Sequence, residues 1–379
     1  MKKLISIVTA LSAALSMAAC GSSNSSTSDS EQEKEVVFDV VKAENTQQYV
    51  EQMGIGWNLG NTLDPGKCNW VDNDLDYETA WGNPKTTKEM ISYIKSEGFD
   101  TIRIPVTWND HIDKEFNINT EWFDRVQEVV DWCVEEDMFI ILNIHHDGDW
   151  LIKASTDYDN VMKKYKAIWT QIADRFGNYN EKLIFESMNE VGFDDLGTQK
   201  GCELISKING EFTSLIRDSG KHNKERYLLL AGYWTDIDRT CESGYTLPDD
   251  DRIMLSVHYY SPSDFAIADR SSTWGFRETW GDQDGDMEYL DGQFEKLKTH
   301  FVDKGIPVII GEYGAAVKDK DEASRILWFE SVTKTALKYG CCPVVWDNGE
   351  IIDRTGLGWK TEGLKDAIMG AKGTQKAAA

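Results

Sequence analysis

LIFESMNE, Leu183 to Glu190, is an apolar run of the kind that fills a parallel strand buried on both faces, and it ends abruptly in Asn189 and Glu190. A strand of that composition delivers its last polar residues where it emerges at its carboxyl end, the end that carries chemistry in α/β barrels. PVIIGEYG, Pro307 to Gly314, repeats the pattern: apolar residues from Val308 to Ile310 are followed by Glu312 just past the strand. Two strand-end glutamates are the minimum for cleaving a glycosidic bond, where one carboxyl protonates the departing oxygen and the other attacks the sugar or activates water.

Working outward, eight apolar runs have the length and composition of buried strands: Ile55 to Leu59, Thr101 to Ile104, Phe139 to Ile144, Leu183 to Phe185, Tyr227 to Ala231, Ile253 to Val257, Val308 to Ile310 and Pro343 to Val345. Helical patterns lie between them. Thr86-Thr87-Lys88-Glu89 reads as a capping box ahead of Met90, Ile91 and Ile94, with Gly98 as a stop. Trp122, Val126, Val129 and Cys133 share one helical face, as do Ile326, Phe329, Val332 and Leu337. Eight strand-helix units without a glycine-rich nucleotide fingerprint predict an α/β fold, a single (β/α)8 TIM barrel, over residues 36–371.

The ends of the chain read differently. Lys2 and Lys3, an apolar stretch from Leu4 to Leu15, and Ser16-Met17-Ala18-Ala19-Cys20 form an export signal whose small residues before Cys20 resemble a lipobox. The expected division is a lipoprotein signal peptide over 1–19, a lipid-anchor cysteine with a Ser-rich disordered tether over 20–35, and a disordered tail over 372–379. The chain is therefore expected to be exported and held at the cell surface through Cys20, or secreted if the signal is an ordinary one. Removing Lys2 and Lys3 takes the formal charge from −25 to −27. Such a charge argues against nucleic acid and anionic lipid head groups as partners and favours a neutral or cationic substrate. Fourteen Trp residues suit that substrate, because flat apolar sugar faces pack on aromatic rings; about a third of them are expected to touch ligand and the rest to fill core.

Strand after strand ends in polar or aromatic groups. Arg103 interrupts the strand around Ile102 and Ile104; His145 and His146 follow Ile144; His258 and Tyr260 follow Val257; Trp346 and Asp347 follow Val345. A lone strand-end histidine is usually a satisfied structural residue, so the joint pattern carries the argument. The chain then resembles glycoside hydrolase family 5 from Gly54 to about Gly349. The motifs are GWNLGNTLD at 56–64, ETAWGNP at 78–84, TIRIPVTW at 101–108, NIHHD at 143–147, ESMNE at 186–190, HYYSP at 258–262, GEYG at 311–314 and VVWDNG at 344–349. The first two look most like the subfamily 4 endo-β-1,4-glucanases and xyloglucanases. The resemblance implies a retaining endoglucanase with Glu190 as acid/base and Glu312 as nucleophile. It implies substrate contacts from Arg103, His145, Asn189, His258, Tyr260 and Trp346; Asn58, in GWNLG, is added to that set, and His146 is ranked as an outer residue because a continuing pleat would turn it away.

The chemistry asks Arg103 and the Tyr260 hydroxyl to keep Glu312 ionised, and asks burial beside Trp346 to keep Glu190 protonated. Glu186, deeper on its strand, is expected to be a paired interior carboxylate. Asp282, Asp284 and Asp286 have the first three spacings of a calcium loop, but Met287 and Gln293 replace its turn glycine and closing glutamate. No cofactor and no catalytic metal are expected. The cysteines after Cys20 are expected to be thiols, with Cys68, Cys202 and Cys241 left open because an exported chain can oxidise. The chain is expected to be a monomer acting on β-glucan, with cellulose, mixed-linkage glucan and xyloglucan as candidates. A β-mannanase on the same scaffold and a glycan-binding surface lipoprotein without activity are the alternatives.

Overall fold

The computed structural model describes residues 41–373 apart from Ser243 and Asp284. The proposed export signal, Cys20 and the tether lie outside the described residues, as does the tail from 374 onward. Eight parallel strands close into a barrel in chain order: β1 (Gly56–Asn58), β2 (Thr101–Ile104), β3 (Phe139–Asn143), β4 (Leu183–Glu186), β5 (Leu228–Ala231), β6 (Ile253–Tyr259), β7 (Val308–Tyr313) and β8 (Cys342–Val345). Each falls on one of the eight runs read from the sequence. β6 and β7 extend furthest past the expected runs: they stay paired past a bulge, with His258 opposite Glu312, so both residues are inside strands rather than beyond them.

The two-residue period of the strands divides the barrel into layers. Ile141, Ile184, Leu229, Met254, Ile309 and Val344 point inward and form an apolar floor. Helix Thr46–Met53 closes that end of the barrel, with Tyr49 stacked on Tyr227 at 3.6 Å and edge-on to Phe139 at 5.2 Å. Two residues further along, the inward positions turn polar: Arg103 on β2, Asn143 on β3, Glu186 on β4 and Ser256 on β6, all fully buried. The alternate residues, such as Ile102, Ile104, Ile140, Leu142, Leu183 and Phe185, face the surrounding helices and belong to the outer core.

Local details correct the sequence reading. The helix Lys88–Ser96 is capped by Thr87, whose side chain accepts the Met90 N–H; Thr86 is instead buried, its N–H bonded to Glu78. The domain runs past 371 through a turn over Gly370–Gly373, because Lys372 pairs with Asp100 at 2.5 Å. Asp286 is bound by Arg277 at 2.7 and 3.0 Å, and Asp282 by Thr279, so those aspartates already have partners. Cys68, Cys133, Cys202, Cys241, Cys341 and Cys342 are free thiols, and only Cys241 is not fully buried. No helix among the described residues is long and apolar enough to cross a membrane.

Candidate active site

Arg103 is the hub of the polar layer. Its Nε donates to Glu186 (2.7 Å), Nη1 to Asn58 (3.0 Å) and Glu312 (2.7 Å), and Nη2 to Asn189 (2.9 Å). Burial opposes its charge, but Glu186 and then Glu312 outweigh that and hold the guanidinium firmly protonated. Arg103 and Asn58 have no exposed surface, so neither contacts substrate as the sequence suggested. Asn58 buttresses Arg103 from β1 while its amide donates to the carbonyl of Gly311 (2.9 Å). Because Asn189 Oδ1 is taken by Arg103, its amide nitrogen is the end presented to the groove.

The two glutamates face each other above this layer, with one oxygen of each within 4.8 Å of the other. Glu312 is 6% exposed and takes a second bond from the Tyr260 hydroxyl at 2.9 Å. Burial lifts its carboxyl above the ordinary range, and Glu190 adds to the lift, against the pull of His258, Arg103 and Tyr260. Glu190 lies below its ordinary range: burial raises it, but the hydrogen bond and charge of His258, then Arg103 and His146, outweigh that. These directions reverse the sequence expectation, which put Glu190 in a buried niche. The Glu190 side chain is 44% exposed, so water reaches it. His258 Nδ1 lies 2.8 Å from Glu190 and donates to it, while its Nε2 is buried without a partner.

His145 is oriented from behind. Asn143 Oδ1 accepts the Val106 N–H (3.1 Å), which turns the Asn143 amide nitrogen toward His145 Nδ1 (3.1 Å). The neutral ring therefore carries its proton on Nε2, facing Glu312 (3.8 Å) and Asp64 (4.0 Å). Burial, reinforced by His146, Arg103 and His258, holds the His145 pKa well below the usual imidazole value. Asp64, His145 and His146 lie close enough to suggest a metal site. The tautomer does not fit one, since His145 Nε2 has no free lone pair for an ion. Trp346 stacks parallel on His145 (5.7 Å, 6°), and Gly60 lies so close beneath it that a Cβ there would be 2.9 Å from the ring.

The family model described as Cellulase (glycosyl hydrolase family 5) matches residues 66–350. The chain belongs to glycosyl hydrolase family 5. Endoglucanase A of Clostridium longisporum is 38% identical over 340 residues, which cover 85% of this chain and 65% of that protein. A broad-specificity GH5-4 endoglucanase from an uncultured bovine rumen ciliate superposes with a TM-score of 0.83 at 34% identity, covering 87% of this chain and 99% of that one. A family 5 lichenase from Caldicellulosiruptor sp. F32, a mutant in complex with cellotetraose, gives 0.82 at 34% identity, covering 90% and 99%.

In this family 5 chain the groove continues on both sides of the glutamates. One cavity of about 360 Å³ is walled by Trp346, Tyr260 and Ile267, and another of about 410 Å³ by Trp81, Trp234 and Ile152. Both include His145, His146, Asn189 and Glu190, so they meet at the reaction centre. His146 is not turned away: β3 ends at Asn143, the pleat stops, and its ring lies in the groove against Trp81 (5.3 Å). Trp280, in the loop from Pro262 to Met287, is 2% exposed and belongs to the core. Trp274 of the same loop is exposed. Trp234 and Asp64 were missed by the sequence reading. Trp234 follows the apolar run ending at Ala231, so the rule that found the other strand-end groups applied to it as well.

Proposed function

We propose that this family 5 chain is a retaining endo-β-1,4-glucanase, with Glu312 as nucleophile and Glu190 as acid/base. The approach of one oxygen of each carboxylate to within 4.8 Å carries the reading, because it suits the carboxyl separation of about 5–5.5 Å in retaining enzymes better than the about 6.5–9.5 Å of inverting ones. The groove open on both sides of Glu190 suits internal cleavage of a long chain. The endoglucanase and lichenase names of the similar proteins favour β-glucan as that chain.

A sugar laid in the groove strips water from Glu190, the more exposed carboxyl, and pushes it up, whereas Glu312 has little water left to lose. Glu190 thus takes up a proton from solution as the groove fills. Glu312, held by Arg103 and Tyr260, attacks the anomeric carbon while the glycosidic C–O bond breaks and Glu190 gives its proton to the leaving oxygen. Water then gives a proton to Glu190 and attacks the same carbon, releasing Glu312 as carboxylate. The Asn189 amide donates to the 2-hydroxyl, a contact that tightens in the oxocarbenium-like transition state. Trp346 forms the floor, His145 directs its Nε2 proton toward Glu312, and His258 donates from Nδ1 to Glu190.

Azide rescue tests the assignment. With a dinitrophenyl glycoside, Glu190→Ala should form the glycosyl-enzyme, stall, and turn over with azide to a β-glycosyl azide. Glu312→Ala should yield only an α-azide. Swapped stereochemistry would reverse the roles. Hydrolysis of carboxymethylcellulose, mixed-linkage glucan, xyloglucan and mannan side by side separates the glucanase from a mannanase, and no hydrolysis at all would leave glycan binding alone. We also infer export and lipid attachment at Cys20; fatty-acid labelling that persists in Cys20→Ala would refute the attachment.

A further inference from the structure

Arg103 meets two carboxylates, and the mechanism above uses only one. Glu186, the last residue of β4, is fully buried, with Oε2 on Arg103 Nε (2.7 Å) and Oε1 on the Ser256 hydroxyl (2.6 Å). It makes no contact with the groove. A buried carboxylate needs a countercharge, but this one takes the countercharge of the nucleophile, which a neutral residue in its place would have left entirely to Glu312. We propose that Glu186 is a positioning residue that shares the Arg103 guanidinium with Glu312, so that the nucleophile is oriented by a full cation but feels only part of its charge.

The geometry divides the two tasks. The guanidinium plane is set by Glu186 on the Nε edge, Asn58 between, and Asn189 on the Nη2 tip, which leaves one Nη1 hydrogen directed at Glu312 Oε1. The charge is set by Glu186, since Asn58 and Asn189 are neutral. A carboxylate facing an undivided buried guanidinium is a stable anion and a weak nucleophile. Ser256 adjusts the balance, because its hydrogen bond to Glu186 draws charge away from the Arg103 side.

The groups that face Glu312 are Arg103 from β2, His145 beyond β3, Glu190 and Asn189 beyond β4, and His258 and Tyr260 from β6 and its end. Those that face Glu186 are Arg103 and Ser256. The test therefore uses Glu190→Ala as background, which leaves Glu312 as the carboxylate whose ionisation governs formation of the glycosyl-enzyme, and reads the dinitrophenol burst against pH. In Glu186→Gln the amide oxygen keeps the Arg103 bond and the amide nitrogen donates to Ser256 Oγ, so shape is conserved. The acid limb of the burst rate should move down by about one unit, as expected for removing a negative charge one residue away. Ser256→Ala should move it up, because Glu186 then draws more of the Arg103 charge.

A purely structural Glu186 would lower thermal stability and leave both limbs in place; that outcome, or shifts of the same sign in the two variants, overturns the inference. If Glu186→Gln does not fold, Ser256→Ala alone decides it: an upward shift supports the sharing and an unmoved limb refutes it. The inference rests on Glu312 as nucleophile. A burst that survives in Glu312→Ala would defeat that reading, whereas unmoved limbs with the burst abolished in Glu312→Ala defeat only the role of Glu186.

Discussion

Replacing Arg103 with methionine removes a guanidinium that makes four hydrogen bonds of 2.7–3.0 Å and substitutes an apolar chain of similar reach. Glu186 and Glu312, with 0% and 6% of their side chains exposed, lose their shared countercharge. Breaking a buried pair from one side costs about 3–5 kcal/mol, because the remaining charge is left in a site that water does not reach. At about 2.1 cal/mol/K per residue, the unfolding entropy of the folded domain is roughly 0.7 kcal/mol/K, so Tm should fall by about 4–7 °C. Without Arg103 the Glu312 carboxyl, which burial already lifts, stands further above its unfolded-state value. Such a group contributes stability at low pH that is lost as pH rises through the folded value, so the deficit against wild type should grow from about pH 5 to about pH 7.5. Thermal melts of the two proteins at both pH values measure it. A fall below about 1 °C at the higher pH, or a deficit larger at the acid end, would refute the account of Arg103 as the cation both carboxylates depend on.

Three further outcomes follow from the same structure. Binding of a thio-linked cello-oligosaccharide that cannot be hydrolysed should be accompanied by proton uptake, because covering Glu190 raises a carboxyl that starts below its ordinary range; affinity should weaken as pH rises, and calorimetry in two buffers showing release or no exchange would contradict it. Gly192→Ala places a Cβ 1.9 Å from Trp234 Nε1 and should push that ring, now bonded to Asp194 at 2.9 Å, out of the groove wall. The expected cost is a KM for oligosaccharide raised about 3- to 10-fold, the value of one aromatic contact, and an unchanged KM would show that Trp234 does not touch substrate. Native thiol labelling within residues 41–373 should reach Cys241 alone, with all six thiols appearing on denaturation.

The eight strands were legible because burial on both faces imposes apolar runs that local turns and helices punctuate, and every run became a strand. The strand-end groups were legible for the same reason, since a polar residue at such a place stands out against its neighbours. Depth along the strand was not. Asn58 and Arg103 carry the same signal as Asn189 and Tyr260, but they lie in the layer below the groove, and only strand register distinguishes the two. The hydration of Glu190 depends on what loops from distant parts of the chain cover, and no local pattern encodes that. Trp280 and Trp274 look alike in sequence; long-range packing buries one and exposes the other. Glu312 falls inside β7 because a bulge lets pairing with β6 continue, a feature set by the partner strand rather than by its own residues.

The helix Thr46–Met53 closes the barrel mouth opposite the groove, and Val41 and Ala43 lead into it, packed on the same apolar floor. The polypeptide thus enters at one pole while the glutamates open at the other. Whatever is joined to the chain ahead of Val41 therefore meets the domain at the pole away from the glutamates, and a polymer can approach the groove without crossing that junction.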